Sequence, residues 1–119
     1  MADATLSEVT DRILQKLYVL PGGQTAEAED SVLVQDVIVS VNEELRDDEL
    51  CYWSDAAFPK SIKEAFCDYV CCRLTGDYPS EKNLAKYGGE ANRIGYKRIL
   101  ASLCESRERI DKPTKAVFY

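Results

Sequence analysis

Apolar residues recur at three- and four-residue spacing over most of the chain, with polar residues between them, which is the pattern of amphipathic helices. Leu6, Val9, Ile13, Leu14 and Leu17 form the first such stripe. It is preceded by Thr5-Leu6-Ser7-Glu8, a capping box in which a hydroxyl accepts the third residue's N–H and a carboxylate reaches back. Pro21-Gly22-Gly23 stops this helix. A second opens with Thr25 as N-cap and Glu27, Glu29 and Asp30 near the positive end of the dipole. Its apolar set is Val32, Leu33, Val34, Val37, Ile38, Val41 and Leu45. The β-branched residues permit a strand, but polar Gln35, Asp36 and Ser40 fit a helical face better than strict alternation.

Arg46-Asp47-Asp48-Glu49-Leu50 reads as a charged helix end, followed by an irregular stretch with Tyr52 and Trp53. Pro59 fits the first position of a third helix. Ile62, Ala65, Phe66, Tyr69, Val70 and Leu74, together with the cysteines, make that helix the most apolar, so it should be central. Gly76-Asp77-Tyr78-Pro79 is a turn and Ser80 caps a fourth helix, with Leu84, Tyr87, Ala91, Ile94, Ile99, Leu100 and Leu103 as its apolar residues. That helix is expected to run to about Ser106, with Gly88-Gly89 inside it marking a kink or a tolerated weakness rather than a close backbone approach. Beyond Ser106 the period ends, and Pro113 bars a continuous helix to Tyr119. The predicted architecture is all-α: a small bundle of about four helices over residues 1–106 and an extended C-terminal arm over residues 107–119.

Composition narrows the chemistry. The chain has 119 residues and no His, which removes imidazole acid–base catalysis, Ser–His and Cys–His pairs and His metal ligands. The five Cys are an odd count and do not form paired Cys-x-x-Cys motifs; reduced thiols packed as small hydrophobes are expected, with a metal or catalytic role the lesser alternative. Gly22-Gly23 and Gly88-Gly89 lack the rest of a phosphate loop, and Asp47-Asp48-Glu49 lacks metal-ligand spacing. No enzyme activity, cofactor or metal is expected. An acidic N-terminus and the lack of a long apolar run lead to the expectation of a soluble chain made in the cytosol, without membrane partners.

Charge is more informative by half than in total. Residues 1–56 carry 13 acidic and 3 basic side chains and residues 57–119 carry 8 acidic and 12 basic, so a net −6 is made of −10 and +4. One reading is solvated faces that attract within the bundle. The other is a head-to-tail contact between copies, an acidic face with Glu43, Glu44, Asp47, Asp48 and Glu49 meeting a basic face with Lys82, Lys86, Arg93 and Lys97. The basic stripe could also touch nucleic acid phosphates. The terminal Ala116-Val117-Phe118-Tyr119, behind a charged linker, is suited to docking on a partner or to folding back.

The layout resembles a known family. A short first helix ends in a Pro/Gly turn; Thr25-Ala26-Glu27-Ala28-Glu29-Asp30 leads into an apolar helix and the Trp53 region. Phe58-Pro59-Lys60-Ser61-Ile62-Lys63-Glu64-Ala65-Phe66 and then Leu74-Thr75-Gly76-Asp77-Tyr78-Pro79 follow, before a long helix. Over roughly residues 5–105 this is similar to the head-to-tail adaptor, or head-completion, proteins of tailed bacteriophages. The resemblance implies a virion protein in a ring of about twelve copies beneath the portal, extending the DNA channel to the tail or nozzle and serving genome ejection without sequence-specific DNA contacts. It further implies that an arm, here Arg107, Arg109, Ile110, Lys112, Pro113, Lys115, Val117, Phe118 and Tyr119, reaches the portal or a neighbour. The acidic residues would face either the next subunit or the channel. The alternative functions are a small helical DNA-binding regulator that uses the basic fourth helix, and a cysteine-dependent enzyme or redox protein.

Overall fold

The computed structural model describes residues 3–17 and 27–111, with side chains through Glu105. In chain order the elements are β1 (Ala4–Thr5), α1 (Leu6–Lys16), α2 (Ala28–Asp47), β2 (Ala57–Phe58), α3 (Lys60–Arg73), α4 (Glu81–Tyr87) and α5 (Glu90–Asp111). The protein is mostly helical, as its periodicity predicts.

The capping box at Thr5 forms in full. Thr5 Oγ1 accepts the Glu8 N–H and Glu8 Oε1 accepts the Thr5 N–H, both at 3.1 Å. Immediately before it, Ala4 and Thr5 pair antiparallel with Phe58 and Ala57, an addition to the expected all-helical layout. This pair binds the start of the chain to the approach to α3. Val9, Ile13, Leu14 and Leu17 are buried as their spacing predicts, and the buried Thr10 hydroxyl is satisfied by donating to the Leu6 carbonyl at 2.7 Å.

Helix α2 is confirmed as a helix and buries Val34, Ile38, Val41, Asn42 and Leu45. Its N-cap is Glu27, without a side-chain cap; the expected cap Thr25 and the Pro21-Gly22-Gly23 stop lie outside the described residues. At its other end Glu49 N–H bonds Arg46 O at 3.0 Å and Leu50 N–H bonds Leu45 O at 2.7 Å. These two bonds are a Schellman closure, with Glu49 in the left-handed region at φ 62°.

Helix α3 is the central element, packed on α1, α2, α4 and α5. It buries Ile62, Phe66, Cys67, Tyr69, Val70 and Cys71, and Phe66 meets Trp53 edge-on at 6.0 Å and Phe58 at 5.1 Å. Pro59 stands one residue earlier than predicted, at the N-cap.

The predicted fourth helix is two. Ser80 caps α4 by accepting the Asn83 N–H at 3.1 Å, but α4 ends at Tyr87, Gly88 is extended, and Gly89 takes φ 85° before α5 begins. A Cβ on Gly88 would lie 2.5 Å from the Leu84 carbonyl oxygen, so two glycines in sequence allow the break. The Gly88 carbonyl accepts from Asn92 Nδ2 at 2.7 Å. The break corrects the predicted apolar face: Tyr87, Leu100 and Cys104 are buried, whereas Leu84, Ile94, Ile99 and Leu103 are exposed. Helix α5 also continues past Ser106 to Asp111, so the first five residues of the predicted arm have helical backbone.

Candidate assembly surface

Three polar clusters fix the helices and decide which of the predicted surface charges remain outward. In the first, Glu44 of α2 stands between α3 and α5. It accepts from Tyr69 Oη at 2.6 Å, Arg73 Nη1 at 2.8 Å and Lys97 Nζ at 2.8 Å, and Lys97 also reaches Asp48 at 2.9 Å. Burial disfavours the Glu44 charge, but the hydrogen bonds from Lys97 and Tyr69 outweigh it and hold the carboxyl below its usual range. The Lys97 ammonium is correspondingly pushed up by its bonds to Glu44 and Asp48.

The second cluster joins α1, α3 and α4. Arg12 makes a two-nitrogen contact with Glu64 at 2.9–3.2 Å, Lys16 bridges Glu64 and Asp68 at 3.2 and 3.1 Å, and Tyr87 Oη donates to Asp68 at 2.8 Å. The Arg12 hydrogen bonds lead the causes that lower the Glu64 carboxyl to about 2. In the third, buried Asn42 accepts Trp53 Nε1 at 3.0 Å and donates to Asp55 at 2.8 Å, while Arg46 donates to Asp55 at 2.8 Å and the Trp53 carbonyl at 3.2 Å. This cluster holds the stretch between α2 and β2 that the sequence shows as irregular.

The structure thus brings Glu44, Asp48 and Lys97, predicted for opposite faces of an intersubunit contact, together within one chain. Arg93 pairs with Glu90 at 3.0 Å. Glu43 and Asp47 point outward from α2, and Glu49 is the left-handed residue of its closure. Lys82 and Lys86 are exposed on α4, with the Lys86 ammonium 5.2 Å from the Tyr87 ring centroid. The predicted cationic stripe is therefore divided between two helices, because the Gly88-Gly89 break interrupts the spacing on which it was based. Of the predicted docking arm, Arg107, Arg109 and Ile110 lie on the helical backbone of α5; Lys112, Pro113, Lys115, Val117, Phe118 and Tyr119 lie outside the described residues.

A mainly acidic line along α2 is not among the sequence expectations. Glu29, Val32, Asp36, Ser40, Glu43 and Asp47 are all exposed at three- and four-residue spacing, opposite the buried face of α2. The spacing is present in the sequence, but it reads as a line only once the buried face of α2 is known. Among the described residues no group of three or more Cys, Asp and Glu is placed to hold a metal ion. Burial pushes the thiols up, Cys67 to about 12 and Cys72 and Cys104 to about 11, with Cys51 and Cys71 shifted the same way. This is opposite to the shift that makes a thiolate nucleophile. An open cleft of about 650 Å³ lies at the start of α3, lined by Tyr52, Trp53, Ser54, Pro59 and Lys60 among others. No described helix is long and apolar enough to cross a membrane.

No protein-family model, curated protein or solved structure matches the chain.

Proposed function

We propose that this chain is a structural assembly protein, a ring-forming head-to-tail adaptor that docks under the portal of a tailed bacteriophage, extends the DNA channel and connects the filled head to the tail. The observation that carries the reading is the acidic line along the outward face of α2, on a molecule whose second half is net positive. Opposite net charge on the two halves of one chain gives identical subunits a means of attracting one another. The helical layout that resembles the adaptor family supports the same reading. In this account the protein performs no catalysis, binds no cofactor, and guides DNA without reading its sequence; it resides at the neck of the virion.

The DNA-binding regulator is less well supported, because Lys97 is committed to Glu44 and Asp48 and Arg93 to Glu90. Loss of those cations leaves fewer groups to neutralise phosphates. The test is native mass spectrometry of the chain alone and mixed with the portal ring of its own phage. The expected result is a portal complex carrying several copies of the chain. A mixture in which portal and chain keep their separate masses, with duplex DNA shifted by the chain at low salt, would replace the adaptor by the regulator.

A further inference from the structure

The outward face of α5 differs from an ordinary solvated helix face. Ala91, Ile94, Gly95, Ile99, Ser102 and Leu103 are all exposed. Helical spacing places Ala91, Gly95, Arg98 and Ser102 in one line, with Ile94 on one side and Ile99 and Leu103 on the other. That line holds small residues except for the exposed Arg98 at mid-length, and the larger apolar side chains flank it, so the spacing makes a shallow groove about 18 Å long.

Gly95 lies at the centre of this face. A glycine inside a helix costs stability relative to alanine, and internal packing does not require this one, since a Cβ there would meet nothing within 4 Å. A missing side chain on an open face lets another backbone approach. The α2 line has the complementary character: carboxylates at Glu29, Asp36 and Glu43, and Val32 exposed to 60% as an apolar knob. Within one chain α2 and α5 meet through Glu44, Asp48 and Lys97, which leaves both the line and the groove facing outward.

We infer that the α5 groove around Gly95 receives the acidic face of α2 from a second copy of this chain. Val32 supplies the apolar anchor and the carboxylates meet Arg98. The two surfaces differ, so the contact is heterologous: every copy offers both halves, and repetition closes a ring or continues. The ring of the proposed function supplies the second copy, and the inference rests on that reading to this extent.

Sedimentation velocity of the full chain at low salt, over a concentration series, tests it. The wild-type mass should rise with concentration and fall on adding salt. Gly95→Leu fills the groove, and the pair Asp36→Lys with Glu43→Lys reverses the line. Each variant alone should remain at the 13.4 kDa of one chain while melting no lower than wild type by circular dichroism. Mixed, they should give a two-chain species and nothing larger, since one retains a sound line and the other a sound groove. Wild-type-like association of Gly95→Leu, or a mixture that stays monomeric, overturns the inference and leaves the ring reading standing. A wild-type chain that is monomeric at every concentration, and also in the presence of the portal, overturns both.

Discussion

Glu49 closes α2 in a backbone conformation that an L-residue with a Cβ adopts at a cost, φ 62°, because the Schellman bonds of Glu49 and Leu50 to Arg46 and Leu45 require it. Glycine removes that cost but adds freedom to the unfolded chain. Glu49→Gly is therefore expected to stabilise the protein by about 0.5–1 kcal/mol in urea unfolding, and an equal loss instead would show that the Glu49 side chain serves the fold. Residue-scale signals of this kind were legible where the chemistry is local and residue-specific. Thr5 and Ser80 were readable as caps because their hydroxyls serve N–H groups three residues on. Glu49 was not, since glutamate is an uncommon left-handed closer and its sequence neighbours look like a plain charged run.

Elements were legible where the apolar residues keep one helical period. Helices α1 and α2 follow their hydrophobic period because each buries one face, and α3 is legible as the most apolar helix because it is packed on several sides. The predicted fourth helix differs because one continuous period does not run through Gly88 and Gly89, which restart the phase: Tyr87 and Leu100 of the predicted apolar set are buried and Cys104 joins them, whereas Leu84, Ile94, Ile99 and Leu103 are exposed. The β1–β2 pair is not readable in the sequence because two-residue strands show no alternation. The break makes its own prediction. Gly89→Ala, forced to φ 85°, should destabilise the protein by about 1–2 kcal/mol in thermal or urea unfolding, and Gly88→Ala should cost more because its Cβ would strike the Leu84 carbonyl. Unchanged stability in both would mean that α4 and α5 run together as one helix.

At the scale of the whole molecule, charge holds the helices to one another and leaves the acidic line of α2 outward. Glu64, lowered from 4.5 to about 2 first by Arg12, carries a pH dependence. A carboxyl with a depressed folded-state pKa contributes stability that is complete above its unfolded value and is lost as pH falls through the folded one. Stability should therefore decline between pH 4.5 and about 2, and Arg12→Ala should flatten part of that decline. The effect is modest, because the Glu64 side chain is half exposed and solvent screens the pair. Chemical denaturation at a series of pH values measures it, and an Arg12→Ala curve parallel to wild type would remove Glu64 from the account.

The candidate site was legible in the sequence only as a sign. The −10 and +4 halves pointed to an acidic and a basic surface, but pairing of Glu44 and Asp48 with Lys97 inside one chain depends on how α2 and α5 cross, which no local pattern encodes. Of the acidic half, what remains outward on α2 is the line through Glu29, Asp36, Glu43 and Asp47. The measurement that most directly tests assembly through that surface is negative-stain electron microscopy of the portal ring incubated with the full chain and with the Asp36→Lys, Glu43→Lys variant. The account predicts an added ring of density beneath the portal with the wild-type chain and its loss with the variant. Bare portals in both samples, or an intact added ring with the variant, would contradict it.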